Sequence, residues 1–122
     1  MRPVIGAIRH PGPGDKLGAD QALFKTLNTN ADVMRVSFAS ERGVVLRYVV
    51  QLEVYVDGRY YPAVPYDSAH DYPHRDVLDW EGQVVDKIWL SPVTDDQALT
   101  AAIEAVARDW PTYREDFLRR KP

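Results

Sequence analysis

Apolar and polar residues alternate from residue 32 onward, with Met34, Val36 and Phe38 interleaved with Arg35 and Ser37. This period of two predicts a half-buried β-strand, because successive strand side chains point to opposite faces. SERG (40–43) reads as a turn. The next stretch, VVLRYVVQLEVYV (44–56), carries the strongest pattern in the chain. Leu46, Tyr48, Val50, Leu52, Val54 and Val56 are all apolar, and Arg47, Gln51 and Glu53 lie between them. One face is core and the other mixed, as in an antiparallel sheet with one solvated side. Asp57-Gly58 suits a two-residue hairpin turn of type I′, whose central residues both need positive φ. That turn sets Val54 opposite Tyr61, Leu52 opposite Ala63 and Val50 opposite Pro65. The returning strand RYYPAVPY (59–66) contains Pro62 and Pro65, which offer no N–H to a ladder, so it is expected at a sheet edge. VVDKIWL (84–90), after the Glu81-Gly82 turn, predicts a fourth strand.

Beyond Pro92 the period becomes helical. Thr94-Asp95-Asp96-Gln97 fits a capping box, in which the Thr side chain and the Gln side chain each satisfy the other residue's backbone N–H. Leu99, Ile103, Val106, Trp110, Tyr113 and Phe117 then recur at spacings of 4, 3, 4, 3 and 4, one apolar stripe on a helix reaching about residue 119. Pro111 lies within it and predicts a kink, since proline removes a helical hydrogen bond. Upstream, ADQALFKTLN (19–28) predicts a short helix with Ala22, Leu23 and Leu27 on one face. Residues 1–18, rich in proline and glycine, predict an irregular N-terminal arm. The expected fold is a single α+β domain: an antiparallel β-meander of about four strands over residues 31–90, with a long C-terminal helix over 94–119 packed on one face.

Length and composition add limits. A chain of 122 residues makes one domain with a real core, and 45% hydrophobic with 27% charged residues is ordinary globular composition. The net charge of −3 provides no overall basic field for nucleic acid or an anionic membrane. Only Arg119, Arg120 and Lys121 cluster as a local basic patch. The absence of cysteine removes disulfides, thiolate nucleophiles and cysteine zinc sites together. The apolar run in MRPVIGAIRHPGPG is too short for a signal peptide, and no stretch approaches the roughly 20 apolar residues of a membrane span. A cytoplasmic, non-membrane protein is expected.

The chemistry concentrates in PYDSAHDYPHRDVLDW (65–80), where Asp67, His70, Asp71, His74, Arg75, Asp76 and Asp79 lie between Tyr66 and Trp80. Three readings are open. Imidazole and carboxylate are suitable metal ligands, but Pro73 opposes the helical turn on which an H-x3-H pair usually rests. Metal-independent phosphodiester cleavage is the second. His70 and His74 would share the proton work near neutrality, Arg75 and Lys87 would stabilise phosphate charge, Asp67 and Asp76 would orient the rings, and Tyr66 would line the pocket. The third is a scaffold loop whose Asp and His side chains bond to nearby backbone. The Tyr-rich hairpin (Tyr48, Tyr55, Tyr60, Tyr61) reads as cross-strand aromatic packing, although base stacking uses the same residues. No phosphate-binding loop is present, because GPGDKLG lacks the G-K-[ST] ending.

Tyr66-Asp67, Ala69-His70 and Pro73-His74-Arg75-Asp76, followed by the helix with W-P-x-Y-R-x-x-F, resemble a group of small prokaryotic proteins of uncharacterised function. They share a Y-D-x-A-H-x-x-P-H-R-D segment after a β-hairpin. That group is distantly similar to the TumE-type toxins of toxin–antitoxin modules, whose histidine-rich continuation reads Asp76-Val77-Leu78-Asp79 here. The resemblance implies growth inhibition relieved by an antitoxin partner; joined to the phosphodiester-cleavage reading of the cluster, it makes RNA the expected target, with no cofactor. His70, His74, Arg75, Asp67 and Asp76 would carry the reaction. The alternative is a non-catalytic protein-interaction domain, docking a partner on the 59–66 edge or on the helix, with a structural histidine loop.

Overall fold

The computed structural model describes residues 5–9, 19–29, 31–68, 73–91 and 94–122. Among these residues seven antiparallel strands form one sheet in sequence order. They are β1 (Ile5–Arg9), β2 (Ala19–Thr26), β3 (Val33–Glu41), β4 (Val44–Val56), β5 (Arg59–Asp67), β6 (His74–Leu78) and β7 (Val84–Trp89), followed by the helix α1 (Asp95–Arg119). The α+β architecture with a C-terminal helix on the sheet is as expected, but the sheet is larger than about four strands.

The three added strands have separate reasons. Ile5–Arg9 falls within the expected irregular arm, yet it pairs with β2 from Ile5↔Lys25 to Arg9↔Gln21. The Gly/Pro density that suggested an arm lies mostly in residues 11–18, outside the described residues. The expected helix over 19–28 is the strand β2. Ala22 faces Ser37 and Leu23 faces Val36, so these neighbours are packed on opposite faces of the sheet. Two adjacent apolar residues imitate a helical stripe when a strand is covered on both sides, and pairing overrides weak local propensity. The strand β6 was hidden in the polar cluster, where alternating charges carry no apolar period.

Both long hairpins turn on two residues of positive φ. Arg42 and Gly43 have φ of 52° and 79°, and Asp57 and Gly58 have 51° and 81°, as a type I′ turn requires. The first turn is therefore Arg42-Gly43 alone, with Ser40 and Glu41 still in β3. Near it the apolar alternation of β4 fails. Val45 is buried and Leu46 is 40% exposed, because the register shifts between Ala39 and Ser40 and leaves Leu46 without a partner.

A second irregularity decides the site. From the Asp57-Gly58 turn the ladder runs as expected through Val54↔Tyr61 to Glu53↔Pro62, and then Leu52 pairs with Val64. Ala63 is the extra residue, so the expected pairs Leu52–Ala63 and Val50–Pro65 are replaced by Leu52–Val64 and Val50–Tyr66. The bulge follows Pro62, which cannot donate, and it turns Tyr66 onto the face carrying Val50. Nor is β5 an edge strand: β6 continues the sheet through Tyr66↔Arg75 and Asp67↔His74.

The core lies between α1 and the middle of the sheet. Val50, Leu52 and Val54 of β4 and Val106 and Phe117 of α1 are fully buried. The capping box opens α1 as expected, with Thr94 accepting from the Gln97 N–H and the Gln97 side chain accepting from the Thr94 N–H. The helix continues through Pro111 as one element. Packing of Val106, Trp110, Tyr113 and Phe117 against the core offsets the roughly 3 kcal/mol that an interior proline costs. Its C-terminal end is clasped by the β6–β7 hairpin. Trp80 stacks on Phe117 at 4.8 Å and 12°, and its Nε1–H donates to the Phe117 carbonyl at 2.8 Å.

Candidate functional site

Strand alternation divides the predicted cluster between the two faces of the sheet. Tyr66, Arg75 and Ile88 occupy one register row, and Asp67, His74 and Trp89 the next. On the helix side the Tyr66 hydroxyl lies 2.6 Å from that of Tyr113, and Arg75 donates from Nη1 to the Tyr113 oxygen at 2.9 Å. The guanidinium also lies over the Tyr113 ring, 5.3 Å from its centroid. Burial and the hydrogen bond with Tyr113 push the Tyr66 hydroxyl well above the ordinary tyrosine range, while Arg75 pulls it the other way. Burial works against the Arg75 charge, but the hydrogen bonds to Tyr113 and Tyr66 outweigh it and hold the guanidinium above its ordinary value. This is a polar clasp between sheet and helix.

On the opposite face His74 is only 2% exposed. Its Nε2 lies 3.7 Å from Asp76 Oδ2, too far for a direct hydrogen bond. Lys87 Nζ lies 3.1 Å from Asp76 Oδ1, a contact ion pair without hydrogen-bond alignment. The Trp89 ring borders both side chains, 5.3 Å from the His74 ring and 5.4 Å from Lys87 Nζ. Asp67 stands opposite His74 in the ladder. The structure therefore gathers His74, Asp76 and Lys87 with Asp67 nearby, and it separates Arg75 and Tyr66 from them by the thickness of the sheet. Arg75 is not placed as a phosphate clamp beside His74. His70 and Asp71 lie outside the described residues. Among the described residues no group of three or more His, Cys, Asp or Glu side chains is arranged to hold a metal ion.

Two further polar features escaped the sequence. Asp32 is fully buried: it accepts from Asn28 Nδ2 at 2.8 Å and the Tyr55 N–H at 2.9 Å, and Arg114 Nε lies 2.8 Å from its carboxylate. It ties the β2–β3 connection and β4 to the helix. Tyr48 is buried at 2% exposure, and its hydroxyl is pushed up to about 12 by burial, aided by the charges of Asp95 and Asp67. Neither belongs to a recognisable motif. The nearest signal for Asp32 is the Asn28-to-Asp32 spacing of a tight turn.

The last feature is the strand β7, which ends the sheet. Val84, Val85 and Trp89 are 51%, 52% and 57% exposed. The Lys87 N–H donates to the Asp86 carboxylate at 2.9 Å, whereas the Leu90 N–H donates to the Pro73 carbonyl at 3.0 Å. Lys87 therefore turns its backbone donor away from β6, toward the side of β7 that pairs with no strand among the described residues. Val85 has no residue opposite it on β6, because the register shifts between Val77 and Leu78.

Fold and site together define an α+β domain with two polar clusters on opposite sheet faces and a last strand whose outer edge is uncovered among the described residues. The chain belongs to a family described as a domain of unknown function (DUF7718), whose model matches residues 18–122. No curated protein and no solved structure matches it. Among the described residues no helix is long and apolar enough to cross a membrane.

Proposed function

We propose that this domain is a protein-interaction module that receives an extended strand of a protein partner along β7. The observation that carries the reading is the edge itself, with three large apolar side chains more than half exposed on a six-residue strand. Sheet edges are templates for strand addition, and natural edges are usually blunted by charge, proline or a covering element. Of the two charges on β7, Lys87 is folded inward onto Asp76, and the Asp86 carboxylate accepts from the Lys87 N–H.

The reading is tested in cells by a photo-crosslinking phenylalanine analogue at position 89, with position 60 as control. Tyr60 is also exposed, at 44%, but it lies in β5, inside the strand order. Crosslinks specific to position 89 are expected. Equal or absent crosslinking at the two positions would overturn it.

A second reading, RNA cleavage by a toxin component with an antitoxin partner, is favoured by the Asp76 carboxylate lying between His74 and Lys87. Against it stand the burial of His74 and the placement of Arg75 on the other face. On that reading His74→Ala abolishes growth inhibition while leaving the fold intact. Inhibition that survives the substitution rules it out.

A further inference from the structure

We infer that the occupant of the β7 edge is β7 of a second copy of this chain, paired antiparallel about Lys87; the inference rests on the docking-strand reading above. Two copies related by a two-fold axis normal to the sheet keep the same face on the same side. Directly opposite residues in an antiparallel ladder share a face. Only residues of like parity can then stand opposite one another, and two registers use the whole strand.

The first is centred on Asp86. It opposes Asp86 with its own counterpart and sets Trp89 against Gln83, leaving a carboxylate pair at the centre. The second is centred on Lys87. It sets Val85 opposite Trp89 of the second copy, twice by symmetry, on the face that carries Lys87. Val85 and Trp89, two of the three exposed apolar side chains of β7, then gain apolar neighbours. Lys87 faces Lys87 of the second copy, but each ammonium already lies 3.1 Å from Asp76 of its own chain. The row across the junction reads Asp76, Lys87, Lys87, Asp76, with no net charge.

The backbone agrees with this register. Lys87 turns its N–H outward, so the two central residues can exchange N–H···O bonds as a hydrogen-bonded pair. The Asp86 carboxylate that holds this N–H in the single chain gives way to the carbonyl of the second copy.

The chain has no cysteine, so single-cysteine variants report the register without background. In a hydrogen-bonded antiparallel pair the opposed Cα atoms are about 5.5 Å apart, within the range that a disulfide bridges. Lys87→Cys is expected to form a disulfide-linked dimer under mild oxidation, while Asp86→Cys and Ile88→Cys stay uncrosslinked. Sedimentation of the unmodified chain is expected to show twice the 13.9 kDa mass. Val85→Lys, on an exposed side chain, is expected to return it to the single mass.

A chain that sediments as a monomer and fails to crosslink at position 87 overturns the second copy as occupant. If position 89 still crosslinks to a different protein in cells, the docking-strand reading survives that failure; if it does not, both fall. A dimer that crosslinks at position 86 instead overturns the Lys87 register.

Discussion

Replacing Asp32 with alanine removes a fully buried carboxylate on which three elements converge. Arg114 of α1 loses its 2.8 Å contact, the Tyr55 N–H of β4 loses a 2.9 Å acceptor, and Asn28 loses a 2.8 Å acceptor. Breaking a buried ion pair by deleting one partner costs about 3–5 kcal/mol, mostly because the other charge is stranded. Here the Arg114 side chain keeps 23% exposure, so water relieves part of that penalty, and about 3 kcal/mol is expected. Asn at this position keeps an acceptor for the Tyr55 N–H and should cost about 2 kcal/mol. Urea unfolding followed by tryptophan fluorescence reads both. With a slope of about 1.5 kcal/mol per molar urea, the alanine variant should unfold about 2 M earlier. The double variant Asp32→Ala/Arg114→Met should be less damaged than the sum of its singles, because the stranded charge is gone. A midpoint shift below about 0.5 M for Asp32→Ala would refute the view that this carboxylate fixes the helix to the sheet.

Tyr48 makes stability depend on alkaline pH. Its folded pKa is raised from 10.0 to about 12, so the unfolded chain loses this proton first, and the contribution is intact below pH 10 and lost as pH rises toward 12. The loss reaches about 2–3 kcal/mol in a stability–pH profile, and Tyr48→Phe should flatten that slope. Trp80→Ala removes the stack on Phe117 and the bond to its carbonyl. It should cost about 2–4 kcal/mol in urea unfolding and speed amide exchange in residues 78–84. Gly58→Ala forces a side chain into φ of +81° and should lower stability by about 1 kcal/mol, without altering the ladder beyond the turn.

The parts of the fold that the chain advertises are those where one local rule acts alone. The 44–56 strand, the Asp57-Gly58 turn and the Thr94–Gln97 cap each follow from a short pattern with a direct cause, and each forms where expected. The misread parts are those where packing decides. Ala22-Leu23 resembles a helix because both sides of β2 are covered. The bulge at Ala63 cannot be read from the turn, which by itself sets Leu52 against Ala63. That one residue matters most for the site, since it places Tyr66 toward the helix and Asp67 away from it, and β6 inherits the division for Arg75 and His74. Residue types in a line of sequence carry no face until the register is known. The prolines of 59–66 point to an edge there, but the edge depends on strand order, and β6 covers part of β5 while leaving β7 last among the described strands.

The amide of Lys87 is the most direct reporter of strand addition at β7. Hydrogen exchange followed by NMR, at dilute and at high protein concentration, compares it with the Leu90 amide, which is bonded to Pro73 within the chain. Pairing of β7 between copies predicts that Lys87 exchanges quickly in dilute solution and becomes protected as concentration rises, while Leu90 is protected throughout. A Lys87 exchange rate that stays the same across that range would contradict it.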